Sequence, residues 1–320
     1  MKDLLRTEHL SREDVELILA TASEFAREPL RSQSALSGKS VAIYMTKPST
    51  RTRLASESAV AHLGGSPIFL RQEDLQIGRG ETISDTAKIV SQFCSALIIR
   101  TFAQSDVDQL GAHATIPVVN ALTDDDHPTQ ALADWLTIRE KFGHDLSGRK
   151  FVYLGDGNNV THAWLVMGAI MGAHVVAATP PGNYAPNSRV VEIASNIASN
   201  HGGRVEISHD PHAAAKDASV LYTDVWMSMG DPEEQRREKE KSLAPFAVTE
   251  EIMASASRDA IFMHCLPAHR GEEVSAGVID GPQSVVWREA FHRRTTIQAI
   301  LYHLTRGELK GFSHENLRSR

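Results

Sequence analysis

The sequence predicts an α/β protein built from two doubly wound parallel-sheet domains joined by interdomain helices. Three observations carry that expectation. Short β-rich runs alternate with amphipathic segments almost from end to end. The runs are nearly continuous in apolar character, as strands covered on both faces are. Finally, 320 residues amount to about two domains at roughly 150 residues each.

The elements follow in order. Val15, Ile18, Ala22 and Phe25 recur at helical spacing behind Ser11, a good N-cap. Strands are expected at Val41–Met45, Pro67–Leu70, Ala96–Phe102 and Pro117–Leu122. Ile83, Ile89, Val90 and Phe93 partly repeat the helical pattern behind Thr82, with Asp85 three residues on as in a capping box. A long helix over Pro128–Phe142 and the polar turn Gly143–Gly148 mark the seam, after which the pattern restarts. Further strands are expected at Phe151–Gly155, His174–Thr179, Val205–Ser208, Val220–Trp226 and Ala260–Leu266. Ile297, Ile300, Leu301 and Leu304 line one face of a closing helix. The expected domains are therefore 1–142, completed by the C-terminal helix 289–320, and 143–288. The one charge run, Glu233–Lys241, reads as a solvated helix or loop, or as part of a mobile lid.

Composition narrows the function. Lys plus Arg at 33 against Asp plus Glu at 40 gives a net charge of −7, the wrong sign for a chain that lives by phosphate-backbone contacts. No apolar stretch approaches the ~18 residues of a membrane span. The opening MKDLLRTEHLSRED is charged throughout, unlike a signal peptide. The two cysteines, Cys94 and Cys265, are too few for a disulfide framework and suit a reducing compartment. The expectation is a cytoplasmic protein without nucleic-acid or membrane partners.

Chemistry gathers where strands end. Ser49-Thr50-Arg51-Thr52-Arg53 follows the first strand and opens a helical segment. Unpaired N–H groups at a helix start favour an anion, and three hydroxyls with two guanidiniums add further donors for a phosphate. A hydroxyl-rich cap carrying two surface arginines reads the same way. No GxxxxGK[ST] occurs, which argues against a nucleoside triphosphate cradle. Asp124 to Gln130 places His127 and Gln130 near the start of a helix that Pro128 suits, where they can donate to a carbonyl oxygen gaining charge, or merely cap the helix. Arg100 ends another strand of the same half, where open parallel sheets hold ligands.

In the second half, Gly155-Asp156-Gly157-Asn158-Asn159 invites a dinucleotide reading that fails. Val160 replaces the third glycine, and the next strand runs into Pro180-Pro181 instead of an acidic ribose clamp. Asn158 and Asn159 instead suit an α-amino acid head group. Asp224, followed by Ser228, Met229 and Gly230, places a carboxylate for a substrate ammonium at another strand end. His264-Cys265-Leu266-Pro267 closes the last strand, with Cys265 a buried thiol, a nucleophile or a substrate contact. Fifteen histidines are scattered without HExxH or CxxC, so neither a metal nor another cofactor is expected.

Together these segments resemble the aspartate/ornithine carbamoyltransferase family. STRTR at 49–53, Arg100-Thr101-Phe102, HPTQ at 127–130 and HCLP at 264–267 stand in that family's order along nearly the whole chain. GDGNN at 155–159, DVWxSMG at 224–230 and HCLPAHRGEEV at 264–274 are similar to the ornithine branch, bacterial type. Two segments depart from the pattern. Leu54-Ala55-Ser56-Glu57 stands where aromatic residues are usual, and Glu289-Ala290-Phe291-His292-Arg293 stands for EAENR, with Arg293 retained.

The resemblance implies carbamoyl transfer from carbamoyl phosphate to the δ-amine of L-ornithine, giving L-citrulline and phosphate without a covalent enzyme intermediate. Ser49, Thr50, Arg51 and Thr52 would bind the phosphate, and Arg100, His127 and Gln130 its phosphate and carbonyl ends. Gln76 would reach the neighbouring subunit's site, and Cys265, Leu266 and Arg293 would complete the carbamoyl pocket. Asn159, Asp224, Ser228 and Met229 would bind ornithine. Arg51, Arg100, His127, Asp224 and Cys265 would form the catalytic set, with Cys265 and Asp224 positioning substrate. Domain 1–142 would take the donor and 143–288 the amine, in a homotrimer or a multiple of trimers. Two rivals stand beside this reading: transfer to another amine (a modified ornithine, lysine or putrescine) and a non-catalytic relative that binds a small anion and regulates.

Overall fold

The computed structural model describes residues 1–77, 79–227, 234 and 236–311. The chain divides into two compact units, Met1–Leu136 with Phe291–Arg320, and Thr137–Ala290. Both breaks fall inside helices, Pro128–Phe142 and Val286–Leu304. The first of these helices serves both units. Gln130 and Asp134 bond to each other near its start (2.7 Å), whereas Glu140 near its end takes two bonds from Arg288 at 2.5 and 2.6 Å.

The first unit holds a four-stranded sheet of β1 (Ser40–Met45), β2 (Ser66–Arg71), β3 (Ala96–Arg100) and β4 (Val118–Leu122), in the order β2-β1-β3-β4. The second holds five strands, β5 (Lys150–Leu154), β6 (His174–Ala178), β7 (Arg204–Ser208), β8 (Val220–Thr223) and β9 (Ile261–His264), in the order β7-β6-β5-β8-β9. Every pairing is parallel. Each sheet is wound both ways from its first strand, so the order reverses between β1 and β3 and again between β5 and β8. Ligands of open parallel sheets sit at such reversals, beyond the carboxyl ends of the strands. Ser49–Arg53 and Arg100 lie beyond the first reversal; Asp156–Asn159 and Asp224 lie beyond the second.

The expected strands all form, but β5 and β6 stop one residue short, at Leu154 and Ala178, and three end earlier by two residues or more: β3 at Arg100, β8 at Thr223 and β9 at His264. The apolar residues that follow leave the sheet for loops. Trp226 is buried there without being in a strand, which hydropathy alone does not register. Ser11 caps Arg12–Arg27 with a complete capping box, its hydroxyl taking the Asp14 N–H. Thr82 caps Ile83–Phe93 in the same sense, accepting from the Asp85 N–H.

Ala42, Tyr44, Leu97, Ile99 and Val118 form the sheet side of the first core, with Val107 and Leu110 supplied by the helix Gln104–His113. In the second unit, the helix Asn159–Ile170 is buried nearly all round, and Trp164 stacks on Tyr222 with ring centres 4.9 Å apart. Among the described residues, no helix is long and apolar enough to cross a membrane.

Candidate active site

In the first unit a helix start is wired to a distant arginine. Ser49 is the N-cap of the helix Thr50–His62; its Oγ accepts from the Thr52 N–H at 3.2 Å and lies 3.1 Å from the Thr52 hydroxyl. Thr52 in turn accepts from Nη2 of Arg293 at 3.2 Å, while Nη1 of the same guanidinium donates to Oε1 of Gln130 at 2.5 Å. Arg293 is only 3% exposed, so its fork fixes Thr52 and Gln130 in one arrangement.

The two arginines of the STRTR segment part company. Arg53 pairs with Glu57 at 2.9 Å and lies over the Phe69 ring at 3.8 Å, outside the donor set counted from the pentapeptide. Arg51 is half-buried and, among the described residues, makes no ion pair. Arg100 is half-buried at the end of β3, opposite Met45 of β1.

His127 is buried at the start of Pro128–Phe142. Burial first, and then the Arg293 and Arg100 guanidiniums, hold its imidazole well below the ordinary histidine range. It is therefore neutral at physiological pH. Gln76 stands apart: it is exposed, and its carbonyl closes a turn with the Arg79 N–H at 2.9 Å. Among the described residues, no hydrogen bond ties its side chain to the Ser49–Arg293 set.

Two first-unit residues here escape a motif reading. Lys47, two residues beyond β1, is buried, ion-paired with Asp124, and lies 4.2 Å from the Phe102 ring centre. A lysine just past a strand at the sheet reversal was the available signal. Asp126 is the structural member of the acidic triplet. It accepts from the Thr7 N–H (2.6 Å), the Thr7 hydroxyl (2.8 Å) and the His127 N–H (2.8 Å).

Burial nevertheless outweighs those bonds and pushes the Asp126 carboxyl up to about 6. The folded state thus binds an extra proton between about pH 4 and that value, and stability falls as pH rises through this window. A rise from 3.8 to about 6 corresponds to a loss of ~3 kcal/mol. Denaturant unfolding at pH 4 and pH 7 is expected to show that extra loss in the native protein relative to Asp126→Asn. Equal pH dependence in the two would refute the assignment.

The second unit presents a carboxylate between two donors. Asn158 caps the helix Asn159–Ile170 through Oδ1 and donates from Nδ2 to Oδ2 of Asp224 at 3.0 Å. The Cys265 thiol donates to Oδ1 of Asp224 at 2.9 Å. Asn158 thus touches the acid directly, while Asn159 is half-buried at the first helical position. A carboxylate neighbour is the opposite of the electropositive setting that activates a cysteine nucleophile. Ser228 and Met229 lie outside the described residues, as does Gly230.

Lys239, inside the charge run, carries no motif signal. Its ammonium donates to Asp156 at 2.9 Å and to the Trp226 carbonyl at 3.1 Å, so this part of the run is an anchor and not a solvated face. Two described sets bring three potential metal ligands within 4.8 Å of one another. In Asp224, His264 and Cys265, both histidine nitrogens are already engaged, by the Leu266 N–H and by Glu273. In His269, Glu272 and Glu273, the imidazole stands 3.8 and 4.0 Å from the two carboxylates, at ion-pair range.

Comparison with known proteins adds to this geometry. Residues 2–140 match the carbamoyl-P binding domain, and residues 147–304 the Asp/Orn binding domain, of aspartate/ornithine carbamoyltransferase. The ornithine carbamoyltransferase of Pyrococcus horikoshii is 47% identical over 313 residues, covering 97% of this chain and 98% of its own. That of Anoxybacillus flavithermus is 46% identical, covering 95% and 96%. Among solved structures, ornithine carbamoyltransferase from Pyrococcus furiosus superposes with a TM-score of 0.91 at 46% identity, covering 97% of this chain and 98% of that one. The Thermus thermophilus structure gives 0.85 at 37%, covering 95% and 99%.

Proposed function

The chain belongs to the aspartate/ornithine carbamoyltransferase family, and from that premise we propose that it transfers the carbamoyl group of carbamoyl phosphate to the δ-amine of L-ornithine, releasing L-citrulline and phosphate. The observation that carries the reading is near-complete coverage, at 46–47% identity, by proteins named for that activity. We assign carbamoyl phosphate to the first unit and ornithine to the second.

The chemistry sets three demands. The attacking amine must be neutral, yet an alkylammonium titrates near 10.4, so the bound δ-amine has to lose a proton before it attacks. A carbon–nitrogen bond then forms as the carbon–oxygen bond to phosphate breaks, with negative charge on the carbonyl oxygen in between. Arg100 and the neutral His127 are the donors assigned to that oxygen, alongside Thr52 and Arg51. The neutral imidazole keeps one ring N–H, which serves as that donor.

The leaving phosphate gains charge at the start of the helix Thr50–His62, where Ser49, Thr50, Arg51 and Thr52 supply donors. Arg293 holds Thr52 and Gln130 to that shape. Asp224, with Asn159, Ser228 and Met229, is assigned to the amino-acid end of ornithine. Cys265 and Leu266 are assigned to the reacting group, and Gln76 to a neighbouring subunit's site. We further propose a cytoplasmic enzyme of arginine metabolism, assembled as a homotrimer or a multiple of trimers.

A colorimetric assay for ureido product, run with carbamoyl phosphate over ornithine, lysine, putrescine and modified ornithines, tests the reaction and the acceptor together. Citrulline from ornithine above the rates for the other amines is expected. No product with any amine would leave the anion-binding regulatory alternative. Cys265→Ser is expected to keep activity within about tenfold, because a hydroxyl still donates to Asp224 and no covalent step is required. Complete loss in a folded variant would argue for a thiol nucleophile.

A further inference from the structure

Resting on the assignment of Leu266 to the reacting group, we infer that His264 and Glu273 are positioning residues: a buried carboxylate fixes the tautomer of His264, and the imidazole then holds the Leu266 backbone in place.

Strand β9 ends at His264, and Leu266 two residues later has φ +59°, a left-handed backbone that a β-carbon disfavours. Such a conformation persists where its surroundings over-determine it. Here the Leu266 N–H donates to Nδ1 of His264 at 2.8 Å. A backbone N–H can only donate, so Nδ1 must be the unprotonated nitrogen and the ring proton sits on Nε2. That nitrogen lies 3.2 Å from Oε1 of Glu273, an acceptor for it.

Glu273 is itself fixed. It is fully buried, and the same Oε1 accepts the His269 N–H at 2.6 Å. The His264 N–H donates to Oε2 of Glu289 at 3.0 Å, which pins the imidazole's own backbone. Both ring nitrogens of His264 are therefore used within the chain, and the histidine acts through Leu266 instead of touching substrate.

Three histidine variants separate this role from simple packing. An asparagine carboxamide oxygen sits close to the position of Nδ1 and can accept from Leu266, whereas a glutamine carboxamide sits closer to Nε2 and cannot. His264→Asn is expected to stay within about fivefold of the native kcat. His264→Gln and His264→Ala are expected to fall about 30- to 100-fold at saturating substrates, the scale on which misplaced contacts lower rates. Glu273→Ala should fall similarly, and the His264→Ala/Glu273→Ala double variant no further, because the two act in series.

Kinetics are paired with thermal unfolding of each full-length variant. If His264→Ala does not fold, the Asn–Gln contrast decides alone. The inference is overturned if folded Asn and Gln variants are equally impaired, if folded His264→Gln or His264→Ala keeps the native kcat, or if the Glu273 effect multiplies with that of His264. Absence of citrulline from the native protein would instead defeat the functional reading, which is scored before any variant is compared.

Discussion

Arg51→Ala is expected to lower kcat/KM for carbamoyl phosphate about a thousandfold, equivalent to ~4 kcal/mol of transition-state stabilisation. Its neighbours explain why this arginine should cost most. Arg293 spends its fork on Thr52 and Gln130, and Arg53 is committed to Glu57 and the Phe69 ring. Arg51 is half-buried, stands in the first turn of the helix Thr50–His62, and has no carboxylate partner among the described residues. Its charge thus adds to that of the helix start, where the departing phosphate becomes more negative as the bond breaks. Arg51→Lys keeps the charge but loses the planar fork, and about a 30- to 100-fold loss is expected. Arg53→Ala, in the same segment, should change kcat/KM less than about threefold. Steady-state kinetics on the three variants check the ordering; a loss at Arg53 matching that at Arg51 would refute the separation of the two roles.

Asp224→Ala is expected to raise the KM for ornithine at least about a hundredfold, while the KM for carbamoyl phosphate changes by less than about threefold. Removing one partner of a charged hydrogen bond in a buried site costs ~3 kcal/mol or more, since the substrate ammonium is then left unpaired. Asp224 already accepts from Asn158 and Cys265, so its two oxygens are oriented before substrate arrives. Asp224→Asn keeps the shape and loses the charge, and should fall between alanine and native. Equal effects on both substrates would count against assigning the acid to the amine.

Much of this is legible in the sequence because the signals are local. Strand runs, the Ser11 and Thr82 caps and the STRTR helix start each depend on residues within a few positions of one another. What stayed hidden links residues far apart in the chain. Lys47 meets Asp124, Arg293 meets Thr52, and Lys239 meets Asp156, at separations no periodicity spans. Even inside a motif, five residues of STRTR did not tell which arginine faces inward; the Phe69 ring on β2 takes Arg53 away. Asn158 and Asn159 were likewise equivalent on paper until helix capping turned the first toward Asp224.

By itself the sequence determined the class of fold, the positions of its strands and the chemical kind of each loop, because backbone propensity and side-chain chemistry are properties of neighbouring residues. Only the tertiary structure decided which of those side chains are desolvated together. The neutral state of His127 is the clearest case: it follows from burial beside Arg100 and Arg293, which come from two other elements of the first unit. Burial and the field of distant charges are collective quantities, and they exist only once the chain has folded.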